Sequence, residues 1–344
     1  MQVVAGMDPR APLADIGAHA RRVEALGFDA LHVAETTNDA FQTCLLALEH
    51  TSTLVVRPAL ALAFTRSPMQ VAYSAWSLAA FAPGRFQLGL GTQIKPNIVG
   101  RFGVEWADPV ARMADYVDAV RAVFTAFQEG GPLHHEGPHY VLTRLQPEFN
   151  PGPLDEGPLP IWLGGVNKRA CRLAGASADG YITHPTNSDR RYLSELCLPA
   201  LADGLAEAGR DRSDVQVVVG GTIATGRDDA AVDEARNRSR YMLGFLFSTP
   251  AYRRTLELHG WEDLGDRLRT MTKQGRWDEL DAVVTDEVVD TVVASGRYDQ
   301  LARVLGDRYA DLADGVLLHP PTDPADDEAF ADAVRALQEL PTGR

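Results

Sequence analysis

Eight short runs rich in aliphatic and β-branched residues recur along this sequence, and each is followed by a segment with helical period. That alternation constrains the fold more than any other feature. The runs cover residues 3–7, 30–34, 54–63, 86–90, 160–163, 180–183, 215–225 and 315–318. Between them, Met113, Val117, Val120, Phe124 and Phe127 repeat at spacings of three and four, as one buried helix face requires. Ile16, Ala20 and Val23 do the same earlier, and Gly27 follows as a C-terminal capping glycine would. Strands that alternate with helices predict parallel βαβ units, because a parallel neighbour needs a crossover. Eight such units close a (β/α)8 TIM barrel. The doubly wound sheet is the rival, but its dinucleotide fingerprint fails: Gly89-Leu90-Gly91 is followed by Ile94 where a third glycine belongs.

A barrel of this type needs about 250 residues, so a 344-residue chain carries insertions. The expectation is one domain over 1–344, with insertions at 132–160, rich in Pro and Gly, and at 248–296, around Trp261, Arg267 and Trp277. The uncharged stretch 67–84 contains Pro68, Gln70, Ser74 and Ser77, too polar for lipid, and predicts a buried helix. With 47 acidic against 33 basic residues, the formal charge is −14, which repels phosphate backbones and anionic lipid. The expected partner is a small-molecule substrate, with neither nucleic acid nor membrane. Cys44, Cys171 and Cys197 form no CxxC pair, so no disulfide framework or structural zinc site is expected, and a reducing cytoplasm is. No secretory signal is expected at the start, where 1–7 lacks a basic segment.

In such a barrel the chemistry sits just beyond the C-terminal ends of the strands. Glu35-Thr36-Thr37-Asn38-Asp39 follows the second strand; Glu35 there can bind a ring system or move a proton, or Thr37 or Asn38 can merely cap the next helix. Ala59, Ala61 and Ala63 leave room on one face of the third strand, for a flat ligand or for a crowded lumen. Gly91, Thr92 and Gln93 follow the fourth strand, combining close backbone approach with neutral hydrogen-bond partners. After the fifth, Gly164, Gly165, Val166, Asn167 and Lys168 lead into a helix whose first amides can cradle a phosphate. His184 follows the sixth strand. His134, His135 and His139 surround Gly137-Pro138 and are expected in a surface hairpin, so no metal site is assigned. HExxH, GxSxG and Walker A motifs are missing from the sequence.

The stretch Leu60-Ala-Leu-Ala-Phe-Thr-Arg-Ser-Pro-Met69, with Pro83-Gly-Arg-Phe-Gln-Leu-Gly-Leu-Gly-Thr-Gln93, Arg101-Phe-Gly103, Ile161-Trp-Leu-Gly-Gly165 and Ala178-Asp-Gly180, resembles the bacterial luciferase-like superfamily, in its deazaflavin-dependent branch. The resemblance implies a barrel that binds coenzyme F420 at its C-terminal mouth and exchanges a hydride at the deazaflavin C5 with an organic substrate. Glu35 or His184 would manage the accompanying proton. It also implies a non-proline cis peptide at Ala59–Leu60 behind the ring, the cofactor phosphate on Gly164, Gly165 and the following amides, and a homodimer paired through helices near strands two and three. Glu35-Thr36 stands where some relatives have Asp-His, and Gln93 where sugar-phosphate dehydrogenases of the group carry a catalytic glutamate. Those departures argue against sugar-phosphate oxidation. Two alternatives are an FMN-dependent monooxygenase served by a separate reductase and a cofactor-binding relative without catalysis.

Overall fold

The computed structural model describes residues 1–342. Thirteen strands form along them: β1 Gln2–Gly6, β2 Ala30–Val33, β3 Val55–Pro58, β4 Ala61–Leu62, β5 Leu88–Gly91, β6 His135–Glu136, β7 Val141–Leu142, β8 Ile161–Gly164, β9 Gly180–Ile182, β10 Gln216–Val219, β11 Ile223–Gly226, β12 Ala294–Arg297 and β13 Gly315–Leu318. Nine of them make one sheet in the order β3-β2-β1-β13-β10-β9-β8-β5-β4. The pairings with a defined register, such as Val3 with Val316 and Ala30 with Val55, are parallel. The two ends of that order, β3 and β4, are consecutive pieces of the third expected strand, separated only by Ala59 and Leu60. A parallel bridge from Val56 to Phe86 ties β3 to the approach of β5 as well. The sheet therefore closes on itself, and eight strand positions with intervening helices make a (β/α)8 barrel.

Two expected strands differ in detail. The third breaks at Ala59–Leu60, a cis peptide bond as the resemblance implied. The seventh does not run through 215–225: β10 ends at Val219, and β11 leaves the barrel sheet to pair in parallel with β12. Glycine stands just past the end of β10, where the chain is crowded. A Cβ at Gly220 would lie 2.4 Å from the Thr183 carbonyl oxygen, so only glycine passes there.

By contact density the chain forms two compact units. One comprises Met1–Ala5, Gly165–Arg172 and the chain from Ile182 onward; the other comprises Gly6–Gly164 and Leu173–Tyr181. In the second, Met113, Val117, Val120, Phe124 and Phe127 of helix Pro109–Glu129 are all buried, as their spacing required. Trp76 of helix Pro68–Phe81 packs on this face, with ring centroids 5.3 Å from Phe124 and 5.4 Å from Phe127. The first insertion holds the antiparallel β6–β7 hairpin. In the first unit, helices Arg253–His259, Glu262–Lys273 and Asp286–Val292 carry the second insertion. Its apolar side chains, among them Leu256, Leu268, Leu280 and Val289, form a core with Leu243 and Phe247 of helix Asp229–Phe247. No helix among the described residues is long and apolar enough to cross a membrane.

Candidate active site

The GxG at 89–91 serves the strand break. A Cβ at Gly89 would fall 1.9 Å from the Pro58 carbonyl oxygen, and one at Gly91 would lie 3.0 Å from Leu60 Cδ1. Both glycines thus make room for the Pro58–Leu60 segment to bulge against β5, while Ala61 and Leu62 resume register opposite Leu90 and Gly91. Glu35 secures the far side of the bulge. Leu62 N–H donates to its Oε2 at 2.6 Å, and the Arg66 guanidinium pairs with both of its oxygens. These side chains are largely buried, Glu35 10% and Arg66 16% exposed. Arg66 Nη2 also reaches Asp39 Oδ2 at 2.6 Å. Burial alone would lower the guanidinium's pKa, but the hydrogen bonds and charges of Glu35 and Asp39 outweigh it and hold it above the usual range.

Asp39, rather than Thr37 or Asn38, caps the next helix, accepting from Phe41 N–H at 2.9 Å and Gln42 N–H at 3.1 Å. Thr36 and Thr37 hydroxyls both donate to the Pro9 carbonyl, and Asn38 donates to Ala11 O. The 36–38 segment therefore ties down the loop after β1. Beyond β5, Thr92 Oγ1 donates to the Gln93 carbonyl, and Gln93 takes a left-handed backbone, φ 60°. Its Oε1 accepts from Ile94 N–H at 3.0 Å and Asn97 Nδ2 at 3.1 Å.

In the other unit, Asn167 caps helix Lys168–Ser177, its Oδ1 accepting from Ala170 N–H at 3.0 Å. The turn before it is held by two buried donors. Asn187 Nδ2 donates to Gly165 O at 3.1 Å, and Tyr192 OH donates to Val166 O at 2.7 Å. A Cβ at Gly165 would sit 2.3 Å from Ala170 Cβ, so this glycine is required by packing. The amides at the helix start have no intrahelical acceptors and carry the positive end of its dipole.

His184 heads the 3-10 turn Pro185–Asn187. Thr186 N–H and hydroxyl approach its Nδ1 at 3.3 and 2.9 Å, and its Nε2 lies 3.2 Å from Tyr252 OH. The two rings stack with centroids 4.6 Å apart. Burial pushes the imidazole pKa down to about 4, so His184 is neutral at pH 7. The histidines of the first insertion have a structural duty: buried Asp115 accepts from His139 N–H and Tyr140 N–H and pairs with His135 Nε2 at 2.9 Å. No cluster of metal-ligating side chains occurs among the described residues. Sequence reasoning missed Arg66 and Tyr252. Arg66 lies 31 residues from Glu35 and Tyr252 68 from His184, beyond any local spacing signal.

These residues follow the strands of a (β/α)8 barrel, at the end where such barrels carry their chemistry. A family model of the luciferase-like monooxygenases matches residues 2–314, and the chain belongs to that family. An uncharacterized protein of Mycobacterium tuberculosis is 40% identical over 296 residues, covering 86% of each chain. The F420-dependent glucose-6-phosphate dehydrogenase of Microbacterium testaceum is 32% identical over 174 residues, half of each chain. The coenzyme F420-dependent tetrahydromethanopterin reductase of Methanopyrus kandleri superposes with a TM-score of 0.80 at 17% identity, covering 99% of this chain and 98% of that one.

Proposed function

We propose that this chain is an oxidoreductase that exchanges a hydride between coenzyme F420 and a small organic substrate. The observation that carries this reading, beside the family match, is the turn from Gly165 to Lys168. Asn187 and Tyr192 fix its carbonyls, Asn167 caps its helix, and the cations of Lys168 and Arg169 stand at the start. That donor set fits a cofactor phosphate. Gly164 leads into the turn from β8. Ala59, Leu60 and Ala61, at the break in the third strand, and Gly91, Thr92 and Gln93, at the end of β5, would hold the deazaflavin ring. When bound, the deazaflavin supplies or accepts a hydride at C5.

Glu35 and Thr36 act by positioning. Glu35 holds the Leu62 amide and Arg66, and Thr36 holds the loop at Pro9. Neutral His184 orients Tyr252 and keeps no proton in reserve at pH 7.

Titration of the purified protein with F420 and with FMN tests the reading. The expected result is micromolar or tighter F420 binding, with FMN at least about a hundredfold weaker, a difference of about 2.7 kcal/mol. Preferential FMN binding would replace this reading with that of a flavin monooxygenase; binding of neither would end it.

We further propose a cytoplasmic homodimer that works as one domain on a small molecule rather than on nucleic acid or membrane. The net charge of −14 supports the small-molecule partner, and Leu45, 40% exposed on helix Ala40–Glu49 between β2 and β3, supports the dimer. Light scattering at the monomer mass across concentrations would refute the dimer.

A further inference from the structure

Two of the three cysteines meet in the interior. Cys171 lies in helix Lys168–Ser177, and Cys197 closes the π-helical turn Leu193–Cys197, set between Arg190–Tyr192 and helix Leu198–Glu207. Such turns are rare and recur at functional sites. The two Sγ atoms are 3.8 Å apart, with the residues 1% and 0% exposed. A disulfide of about 2.0 Å needs them to close by roughly 1.8 Å. Nearer the surface, Arg172 Nε and Glu207 Oε2, 2.6 Å apart, tie the same two stretches of helix together. Cys44 belongs to the other compact unit, in helix Ala40–Glu49.

Asn187 joins this sulfur pair to the Gly165 turn. Its Oδ1 accepts from His184 N–H at 2.8 Å, which orients the amide. Its Nδ2 then donates both to Gly165 O at 3.1 Å and to Cys197 Sγ at 3.6 Å. Tyr192, whose hydroxyl donates to Val166 O, directly precedes the π-helical turn that ends at Cys197. Close-packed interiors transmit displacements of this size. A sulfur drawn toward Cys171 leaves Asn187 Nδ2, and the amide that anchors the Gly165 carbonyl shifts with it.

We infer that Cys171 and Cys197 are a modification site: hydrogen peroxide converts them to a reversible disulfide, which loosens the Gly165–Lys168 turn and weakens cofactor binding. The consequence for the cofactor rests on the F420 reading above; the disulfide does not. In a reducing compartment the pair rests as two thiols, and its burial restricts the reaction to a small oxidant. Cys171 reacts first, because it is the fourth residue of its helix, where the positive end of the dipole favours a thiolate. That thiolate attacks one peroxide oxygen, the O–O bond breaks, and hydroxide leaves a sulfenic acid behind. The Cys197 sulfur then attacks the sulfenic sulfur, and the S–O bond breaks. The departing oxygen leaves as water once protonated. The two sulfurs lose two electrons, and their two protons go into the two waters formed from one peroxide. A thiol reductant reverses the bond by exchange.

The test uses the whole protein, reduced with dithiothreitol, separated from the reductant and treated with hydrogen peroxide. Thiols counted in denaturant should fall from three to one. Peptide mapping should recover Cys171 linked to Cys197 within one chain, two hydrogens lighter than the separate peptides. Amide exchange at residues 166–170 should rise without any cofactor present. F420 affinity should fall at least about tenfold, and dithiothreitol should restore it. In Cys171→Ala, whatever its own starting values, peroxide should leave both affinity and exchange unmoved. Untreated wild type that binds no F420 would end the F420 reading alone, because thiol count, link and exchange are read without the cofactor. Three thiols after peroxide, a link through Cys44, a linked protein with unchanged exchange or affinity, or a Cys171→Ala protein that responds as wild type does would each overturn the inference.

Discussion

Glu35 accepts on both carboxylate oxygens, from the Leu62 amide and from Arg66, and this decides how its substitution should behave. In Glu35→Gln the amide retains one acceptor but loses the ion pair, leaving a largely buried guanidinium with Asp39 as its remaining carboxylate. The expected cost is about 1–3 kcal/mol of stability, read as a lower urea midpoint. F420 affinity should weaken at least about tenfold, because the one remaining acceptor oxygen is left to serve both Leu62 N–H and Arg66. Wild-type values for both would remove Glu35 from the site. Gly165 calls for a different experiment than its sequence suggests. Any side chain there collides with Ala170, so Gly165→Asp disturbs packing as well as charge. Asn167→Asp is cleaner: aspartate caps a helix as well as asparagine, yet sets a negative charge beside the proposed phosphate. F420 affinity should fall about tenfold or more, or about 1.4 kcal/mol, with an unchanged melting temperature. Unaltered affinity would move the phosphate elsewhere.

At the scale of elements, glycine signals were legible but their cause was not. Gly89-Leu90-Gly91 stood out in the sequence as a place of close backbone approach, and what approaches is Pro58, from the neighbouring strand. Gly220 likewise sits just past the end of β10, where the Thr183 carbonyl approaches closely. The hairpin of the first insertion was legible from its Gly-Pro turn, whereas its anchor, Asp115 on helix Pro109–Glu129, was not. That anchor gives a prediction. A Cβ at Gly137 would lie 1.7 Å from Asp115 Oδ1, so Gly137→Ala should detach the β6–β7 hairpin. The loss should be about 1–3 kcal/mol, the cost of leaving a buried carboxylate short of partners. Hydrogen exchange should then rise at His139 and Tyr140, whose amides Asp115 accepts, and stay unchanged in β5. Retained protection at both amides would disprove the anchoring role.

Across the whole molecule, buried histidines set a pH dependence. His184 is pushed down to about 4 by burial, and His32 well below its usual value by burial and then by the charge of Arg57. Both are depressed relative to the unfolded chain, where histidine titrates near 6.5. Below that pH the unfolded state binds more protons than the native state, so stability falls as pH falls from 6.5 toward 4 and is fully present above 6.5. For His184 the total is on the order of a few kcal/mol. His184→Gln should therefore flatten the dependence of the urea midpoint on pH within that window. An equal slope in wild type and variant would show that His184 titrates normally.

What the sequence determined by itself was the alternation of strands and helices, the eight-fold count, the buried helix faces and the positions of the strand ends. Those features rest on periodicity and turn chemistry, which act over a few residues and are written locally. Composition added the acidic surface. Only the tertiary structure decided which polar groups meet: Arg66 with Glu35, Tyr252 with His184, Asp115 with the hairpin, Asn187 with the Gly165 turn. It also decided that the third strand breaks so that its two halves close the sheet, and that Gln93 is held by Ile94 and Asn97. The contacts depend on segments far apart in sequence brought together by folding, and no local spacing rule encodes them.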